Sequence, residues 1–302
     1  MKLLLTGASG FIGSHVARRL LAKGHRVMAV AVPNDPLNRI SDIADRLEIC
    51  TADLSDTAIL QQFLEAGRPD ACIHLAWYSE PGQYLHSPEN ISALNYSLLL
   101  VKALAEVGCQ NIVAAGTCAE YDLANGKVRE TSPIRPDTLY AASKLSLLFL
   151  GGQISKPANM KFAWGRIFYL YGPDEDPRRL VPAMIRALLA GKSFPTTAGD
   201  QVRDYLHVED VADAFVTLAE KRADGIYNIC SSEPITIRQL VETGGRILDR
   251  PELLQIGALP YRDWEPMYVC GDNQRLKGLG WKPAYDLSRG MESACRWWKQ
   301  QK

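Results

Sequence analysis

The chain of 302 residues contains no run of about 18 apolar residues, so nothing in it reads as a membrane-spanning helix. Its first segment, MKLLLTG, lacks the long apolar core of a signal peptide and is cut short by glycine. It has no excess of either charge, because 34 basic side chains balance 34 acidic ones. No global field draws it to DNA, RNA or an anionic membrane, so an anionic ligand has to be gripped locally. No pair among its seven cysteines has the CxxC spacing of a zinc site or a redox motif, and no metal is expected. Cys50, Cys72 and Cys230 sit in apolar, strand-like runs, which suits reduced core thiols of a cytoplasmic protein. Internal repeats and low-complexity tracts are absent too.

What is present is the composition of a packed globular protein. Hydrophobic residues make up 47% and charged residues 23%, which supports a core and argues against disorder. At roughly 100–200 residues per domain, the length suits one large domain or two lobes. Strand-like runs at 2–6, 26–32, 47–52, 70–76 and 111–116 alternate with helical patterns such as 11–24 and 89–108. Gly24 and Gly108 close those helices. Alternation of this kind predicts right-handed βαβ units around a doubly wound parallel sheet buried on both faces. After about residue 170 the pattern loosens, with a turn-rich break at 171–179 and helices at 180–191, 209–221 and 236–249. The expected division is a nucleotide-binding domain at 1–170 and a smaller lobe at 171–302, some segments of which return to the first sheet.

The first strand runs into TGASGFIG (6–13) and then a helix. Gly7 permits the tight turn, Gly10 lets the backbone approach a pyrophosphate, and Gly13 lets the helix pack close. With Phe11 and Ile12, these glycines are the candidate cofactor contacts. Asp53 and Leu54 after the third strand, and Leu75 and Ala76 after the fourth, extend that set. Asp53 either reaches the adenine or caps a helix within DLSD. The acidic residue that binds the adenosine ribose is missing, because Ala31 stands at its place. That loss tilts the cofactor toward NADP(H), with Arg39 or Arg18 as countercharge. NAD(H) stays possible if Asn34 or Asp35 serves from a shifted turn.

YAASK (140–144) opens a further helical pattern, and its i, i+4 spacing puts Tyr140 and Lys144 on one face. A phenol with an ordinary pKa near 10 is a poor acid–base catalyst at neutral pH, and a nearby ammonium is expected to lower it. Thr117 in AGTCAEY (115–121) follows a buried strand at the edge where open α/β sheets bind ligands. Its hydroxyl either orients a substrate oxygen or caps a turn.

TGASGFIG, the segment around Thr117 and YAASK together resemble the extended short-chain dehydrogenase/reductases, specifically the NAD-dependent epimerase/dehydratase group. RIFYLYGP (166–173), VRDYLHVEDV (202–211) and LKGLGWKP (276–283) extend the resemblance over nearly the whole chain. It implies an α/β fold with a Rossmann-type doubly wound parallel sheet and a smaller C-terminal substrate-binding lobe. It implies that Thr117, Tyr140 and Lys144 are the catalytic residues and that Asn95 is the family's asparagine near the active site. It also implies a nucleoside-diphosphate sugar as substrate, gripped by Arg203 and Arg262. Arg262 is read equally as a surface ion-pair former beside Asp263. Tyr78, Cys118 and Tyr169 complete the candidate substrate contacts, with Tyr84 and His86 in the same 77–86 stretch. Related proteins pair through two helices, here 87–108 and 137–155, so a homodimer is expected.

Departures from the family pattern narrow the reaction. The 4,6-dehydratases carry Asp and Glu after the threonine, where this chain has Cys118 and Ala119. Ala119 moves no proton, which argues against water elimination. Double epimerisation needs a Cys and a His at set places, but Cys118 falls one position early and the YGPDEDP turn carries no His. Tyr169 replaces a usual asparagine. The reading that remains is reduction of a 4-keto-6-deoxyhexose at C4. The alternatives are a 4-epimerase that retains its NAD, or a cofactor-sensing protein without turnover.

Overall fold

The computed structural model describes every residue except Asp263, Trp264 and Lys302. In chain order the first half comprises β1 (Lys2–Thr6), α1 (Phe11–Ala22), β2 (Arg26–Ala31), β3 (Glu48–Thr51), α2 (Thr57–Gly67), β4 (Ala71–His74), α3 (Glu89–Glu106), β5 (Asn111–Thr117), β6 (Lys127–Val128), α4 (Leu139–Ser155) and β7 (Lys161–Ile167). The second half comprises β8 (Tyr169–Tyr171), α5 (Leu180–Leu189), β9 (Phe194–Pro195), β10 (Val202–His207), α6 (Val208–Glu220), β11 (Gly225–Ile229), β12 (Pro234–Thr236), α7 (Ile237–Ile247), β13 (Leu254–Gln255), β14 (Tyr268–Gly271), α8 (Gln274–Lys277) and α9 (Leu287–Gln300). Among the described residues, no helix is long and apolar enough to cross a membrane.

Seven strands form the main sheet in the order β11-β7-β5-β4-β1-β2-β3, and every neighbouring pair is parallel. The predicted α/β class and doubly wound parallel sheet are therefore observed. The winding reverses between β1 and β4. This is the switch point outside whose carboxyl ends open α/β sheets bind ligands. Leu3 and Leu5 of β1 join the cluster under α1 and α6, while Leu4 joins the cluster under α2, α3 and α4. A one-residue slip would move each leucine to the wrong face, and burying one contributes about 1.5–3 kcal/mol. Continuous apolar character is thus what a strand covered on both faces requires.

The return of later segments is concrete. β11 lies beyond β7 at the sheet edge, and α6 packs across α1. Strands β12, β10, β14 and β6 make a second sheet, with β8 beside β10, and β13 pairs with β9 in a separate ribbon. The stretch RIFYLYGP is not one strand. β7 begins earlier, at Lys161, and the chain leaves the main sheet at Phe168, whose buried ring joins Tyr121, Val128, Cys230 and Val269. Tyr169–Tyr171 then pairs with Tyr205–His207 in the second sheet. One apolar run therefore serves two sheets, and it carries the chain from the cofactor side to the second lobe.

Candidate active site

The glycine turn has the geometry that its spacing predicts. Gly7 adopts φ +74°, and a Cβ there would lie 2.9 Å from the Ala76 nitrogen at the end of β4. Gly13 is tighter, because a Cβ would lie 1.9 Å from the Gly7 carbonyl oxygen. Gly10 caps α1 with no side-chain bond, which leaves the first N–H groups of the helix for an anion. A cradle that admits no Cβ and a helix start with no side-chain cap fit a dinucleotide pyrophosphate. Gly13→Ala is expected to push α1 off the turn and weaken NADH binding at least tenfold, measured by fluorescence titration.

Beneath the turn lies a buried polar chain that the sequence reading did not contain. The Ala76 N–H donates to Thr6 Oγ1 at 3.3 Å, and Thr6 Oγ1 lies 2.7 Å from His74 Nδ1. His74 Nε2 lies 2.8 Å from Ser97 Oγ, which donates to the Ala93 carbonyl at 2.6 Å. With Ser97 donating onward, His74 Nε2 carries the proton and Nδ1 accepts from Thr6. Burial holds this imidazole neutral and lowers its pKa to about 3, with the Lys144 charge acting in the same direction. The chain ties β1 and β4 to α3 across the switch point.

Thr117 ends β5 and caps a short 3-10 turn, which is the second of its two expected roles. Its Oγ1 accepts the Ala119 N–H at 3.2 Å, and its own N–H donates to Glu120 Oε1 at 2.8 Å. The Thr117 side chain also faces the Tyr140 phenol closely enough to favour its charged form. α4 starts at Leu139, capped by Thr138, whose Oγ1 accepts the Ala141 N–H. The helix therefore delivers Tyr140 and Lys144 on one face, with Lys144 Nζ 5.8 Å from the Tyr140 ring centre. Lys144 is buried and donates to the Ala115 carbonyl at 2.9 Å.

The electrostatics differ from the expectation that the ammonium lowers the phenol. Burial raises the Tyr140 phenol well above its ordinary range, and the Thr117 side chain opposes that rise. Burial also lowers Lys144 to about 7, against the upward pull of the Glu120 carboxylate. For each group desolvation outweighs the contacts that oppose it, because each charged form loses water. A phenol held protonated is loaded as an acid.

Behind Thr117 stands a second unread feature. Glu120 and Arg166 form a buried ion pair at 2.6 Å, and Trp164 Nε1 donates to both Glu120 oxygens at 3.1 Å. The Arg166 guanidinium also lies 4.2 Å over the Tyr121 ring.

Residues 3–230 match the NAD dependent epimerase/dehydratase family. The chain belongs to this family. It is 26% identical to a UDP-glucose 4-epimerase of Lacticaseibacillus casei over 98% of this chain and 96% of that one. It is 25% identical to a dTDP-6-deoxy-L-talose 4-dehydrogenase (NAD(+)) of Aggregatibacter actinomycetemcomitans over 90% and 99%. Its fold matches the crystal structure of UDP-glucose 4-epimerase from Thermotoga maritima with a TM-score of 0.89 at 23% identity, covering 100% and 99% of the two chains. The expectation of an enzyme is borne out by a family of enzymes.

Against this epimerase/dehydratase background, the other candidates separate by position. Asp53 is neither buried nor the cap of α2; it forms a turn by accepting the Ser55 N–H at 2.8 Å, and Asp56 holds the cap position. Leu54, Leu75 and Ala76 are half-buried at their strand ends. Asn95 is exposed on α3, and the α3 asparagine that bonds into the site is Asn90 instead. Asn90 accepts from Trp77 Nε1 at 2.9 Å and donates to the Tyr84 and Ser87 carbonyls at 2.6 and 2.9 Å. Tyr84 meets the Tyr140 ring edge-on at 4.9 Å, and the Arg179 guanidinium lies 5.6 Å from the Tyr84 ring centre. Tyr78 reaches only Gln83, at 3.4 Å, and His86 is exposed.

On the second-lobe side, Cys118 packs against the cluster that holds Tyr121 and Phe168, with Tyr169 beside it. Burial pushes the Cys118 thiol up to about 12, so it stays protonated. Arg203 is buried in β10, bonded to Glu265 at 2.9 Å, with its guanidinium 5.2 Å from the Tyr169 ring centre. Arg262 is exposed in the segment between β13 and β14, and its expected neighbour Asp263 lies outside the described residues. The C-terminal motif docks on α6, since buried Trp281 donates to the Asp210 carbonyl at 3.2 Å.

Proposed function

We propose that this chain transfers hydride at C4 of a nucleoside-diphosphate sugar, most directly reducing a 4-keto-6-deoxyhexose. The observation that carries this reading is the meeting of Thr117, Tyr140 and Lys144 beside the glycine turn. The nicotinamide supplies the hydride. Thr117 orients the sugar oxygen by hydrogen bond. Tyr140, held protonated, gives that oxygen its proton as the carbonyl becomes a hydroxyl. Lys144 steadies the phenol and faces the ribose. No carboxylate follows Thr117 directly, and Glu120 is turned back to Arg166, which argues against water elimination. The relative named as an NAD(+)-linked 4-dehydrogenase supports hydride chemistry at C4.

For the cofactor, one observation favours NAD(H) over the NADP(H) expected from Ala31. Ser9 of the glycine turn donates to the Asp35 carboxylate, which brings a negative charge to that mouth. Arg18 is engaged with Asp42, and Arg39 with the Asp174 carbonyl. A carboxylate there repels a 2′-phosphate. A second reading, the 4-epimerase, rests on the relatives that carry that name and on the same three residues. The lobe after residue 170 supplies the substrate grip through Arg203 and Tyr169, with Arg262 at its edge. A homodimer through α3 and α4 fits the exposed Ile91, Phe149 and Leu150 on those helices. The free thiols fit a cytoplasmic setting.

The test is NADH and NADPH oxidation with UDP-, CDP- and dTDP-linked 4-keto-6-deoxyhexoses, followed at 340 nm. Consumption with NADH outpacing NADPH supports the reading. Tightly held NAD with epimer formation and no net oxidation selects the epimerase instead. No turnover with any of these sugars removes both.

A further inference from the structure

Lys144 is buried, yet among the described residues its ammonium has a single hydrogen bond, to the Ala115 carbonyl at 2.9 Å. A buried ammonium with one neutral acceptor is poorly compensated. The missing compensation is aromatic. Lys144 Nζ lies 3.8 Å from the centre of the Trp77 ring, much nearer than the 5.8 Å to Tyr140. Trp77 cannot swing away, because its Nε1 is held by Asn90 Oδ1 at 2.9 Å. Asn90 is itself buried and grips the Tyr84 and Ser87 carbonyls. The Leu85 carbonyl in the same loop accepts the Tyr140 N–H at 3.0 Å. One loop, 77–90, therefore fixes the indole over the ammonium and the backbone under the phenol.

We propose that Trp77 is a positioning residue for the reaction, its indole face holding the Lys144 ammonium in place and charged beside Tyr140. This rests on the reading that Tyr140 and Lys144 carry the chemistry. The titratable groups facing Lys144 are few. Tyr140 stands on its own helix, Glu120 behind β5, and His74 at the end of β4. His74 is neutral through burial, and Glu120 is already paired with Arg166. Burial works against the charged lysine, so beyond the Ala115 carbonyl the aromatic face is what favours the ammonium. An ammonium over tryptophan gains most, and over phenylalanine less; leucine offers no such face.

The experiment is a titration of Lys144 in the full chain, by NMR of protein labelled with [13Cε]lysine. The Lys144 signal is assigned from its loss in Lys144→Met. Trp77→Phe and Trp77→Leu leave similar volumes, so any cavity they open affects both alike, and their difference isolates the ring face. The expected order of midpoints is wild type, then Trp77→Phe, then Trp77→Leu, with the last two on the order of half a pH unit apart. The basic limb of the kcat profile is expected to shift in the same order. Phe and Leu variants that fold, as judged by circular dichroism, and titrate together overturn the proposal. A correct order of midpoints in a protein with no hydride transfer to any sugar instead refutes the functional reading and leaves the role of Trp77 standing.

Discussion

Tyr140→Phe is expected to lower kcat for 4-keto-sugar reduction about 1,000-fold, with NADH binding within a few-fold of wild type. General acid catalysis contributes about 100- to 10,000-fold, and this change removes the acid on which the proposed reaction depends. The phenol lies by the Thr117 side chain and packs edge-on against Tyr84 at 4.9 Å. Phenylalanine keeps the ring and its packing, so a fold defect does not confuse the result. Stopped-flow measurement of NADH oxidation reads the chemical step directly. Activity unchanged in Tyr140→Phe would remove the mechanism for reductase and epimerase alike. A loss confined to KM would assign Tyr140 to binding.

The features that the sequence disclosed are those whose physics is local. The turn at 6–13 needs a left-handed residue at Gly7 and no Cβ at Gly13, and both demands are written into consecutive positions. Tyr140 and Lys144 are four residues apart on a helix, so their common face follows from helical geometry alone. Thr117 was readable as either cap or catalytic residue, and the cap is what the structure shows, because the hydroxyl accepts from Ala119. What stayed hidden depends on pairings that no local pattern encodes. His74 reaches Thr6 across 68 residues of chain, and Asp35 reaches Ser9 across a loop whose course is set by left-handed Asn34 and Leu37. The run RIFYLYGP showed apolar character throughout, but not that Phe168 marks the exit from one sheet to another. The expected lowering of the Tyr140 phenol failed for the same reason. Spacing gives the neighbour, but the depth of burial comes from the rest of the fold.

Arg166→Met is expected to destabilise the protein by about 3–5 kcal/mol, because it leaves the Glu120 carboxylate buried without its partner. Few single changes cost that much in proteins whose total stability is about 5–15 kcal/mol. The pair is fully enclosed, with side-chain exposures of 2% and 0%, so water cannot replace the guanidinium. The melting temperature should fall by on the order of 10 °C, read by circular dichroism or calorimetry. Adding Glu120→Gln to the same chain should restore at least half of the loss. The amide is uncharged, keeps an oxygen for the Thr117 N–H at the Oε1 position, and no longer needs a cation. Recovery of stability identifies the stranded charge, and not the lost packing over Tyr121, as the cause. Recovery of turnover in the same double variant would show that Arg166 serves the site only by holding Glu120 and, through it, the backbone of Thr117. Stability restored without turnover would place the Arg166 charge itself in the electrostatics of Tyr140 and Lys144. A loss below about 1 kcal/mol in Arg166→Met would mean that Glu120 takes up a proton there, as its burial-raised pKa allows, and that the pair is not what anchors the catalytic threonine.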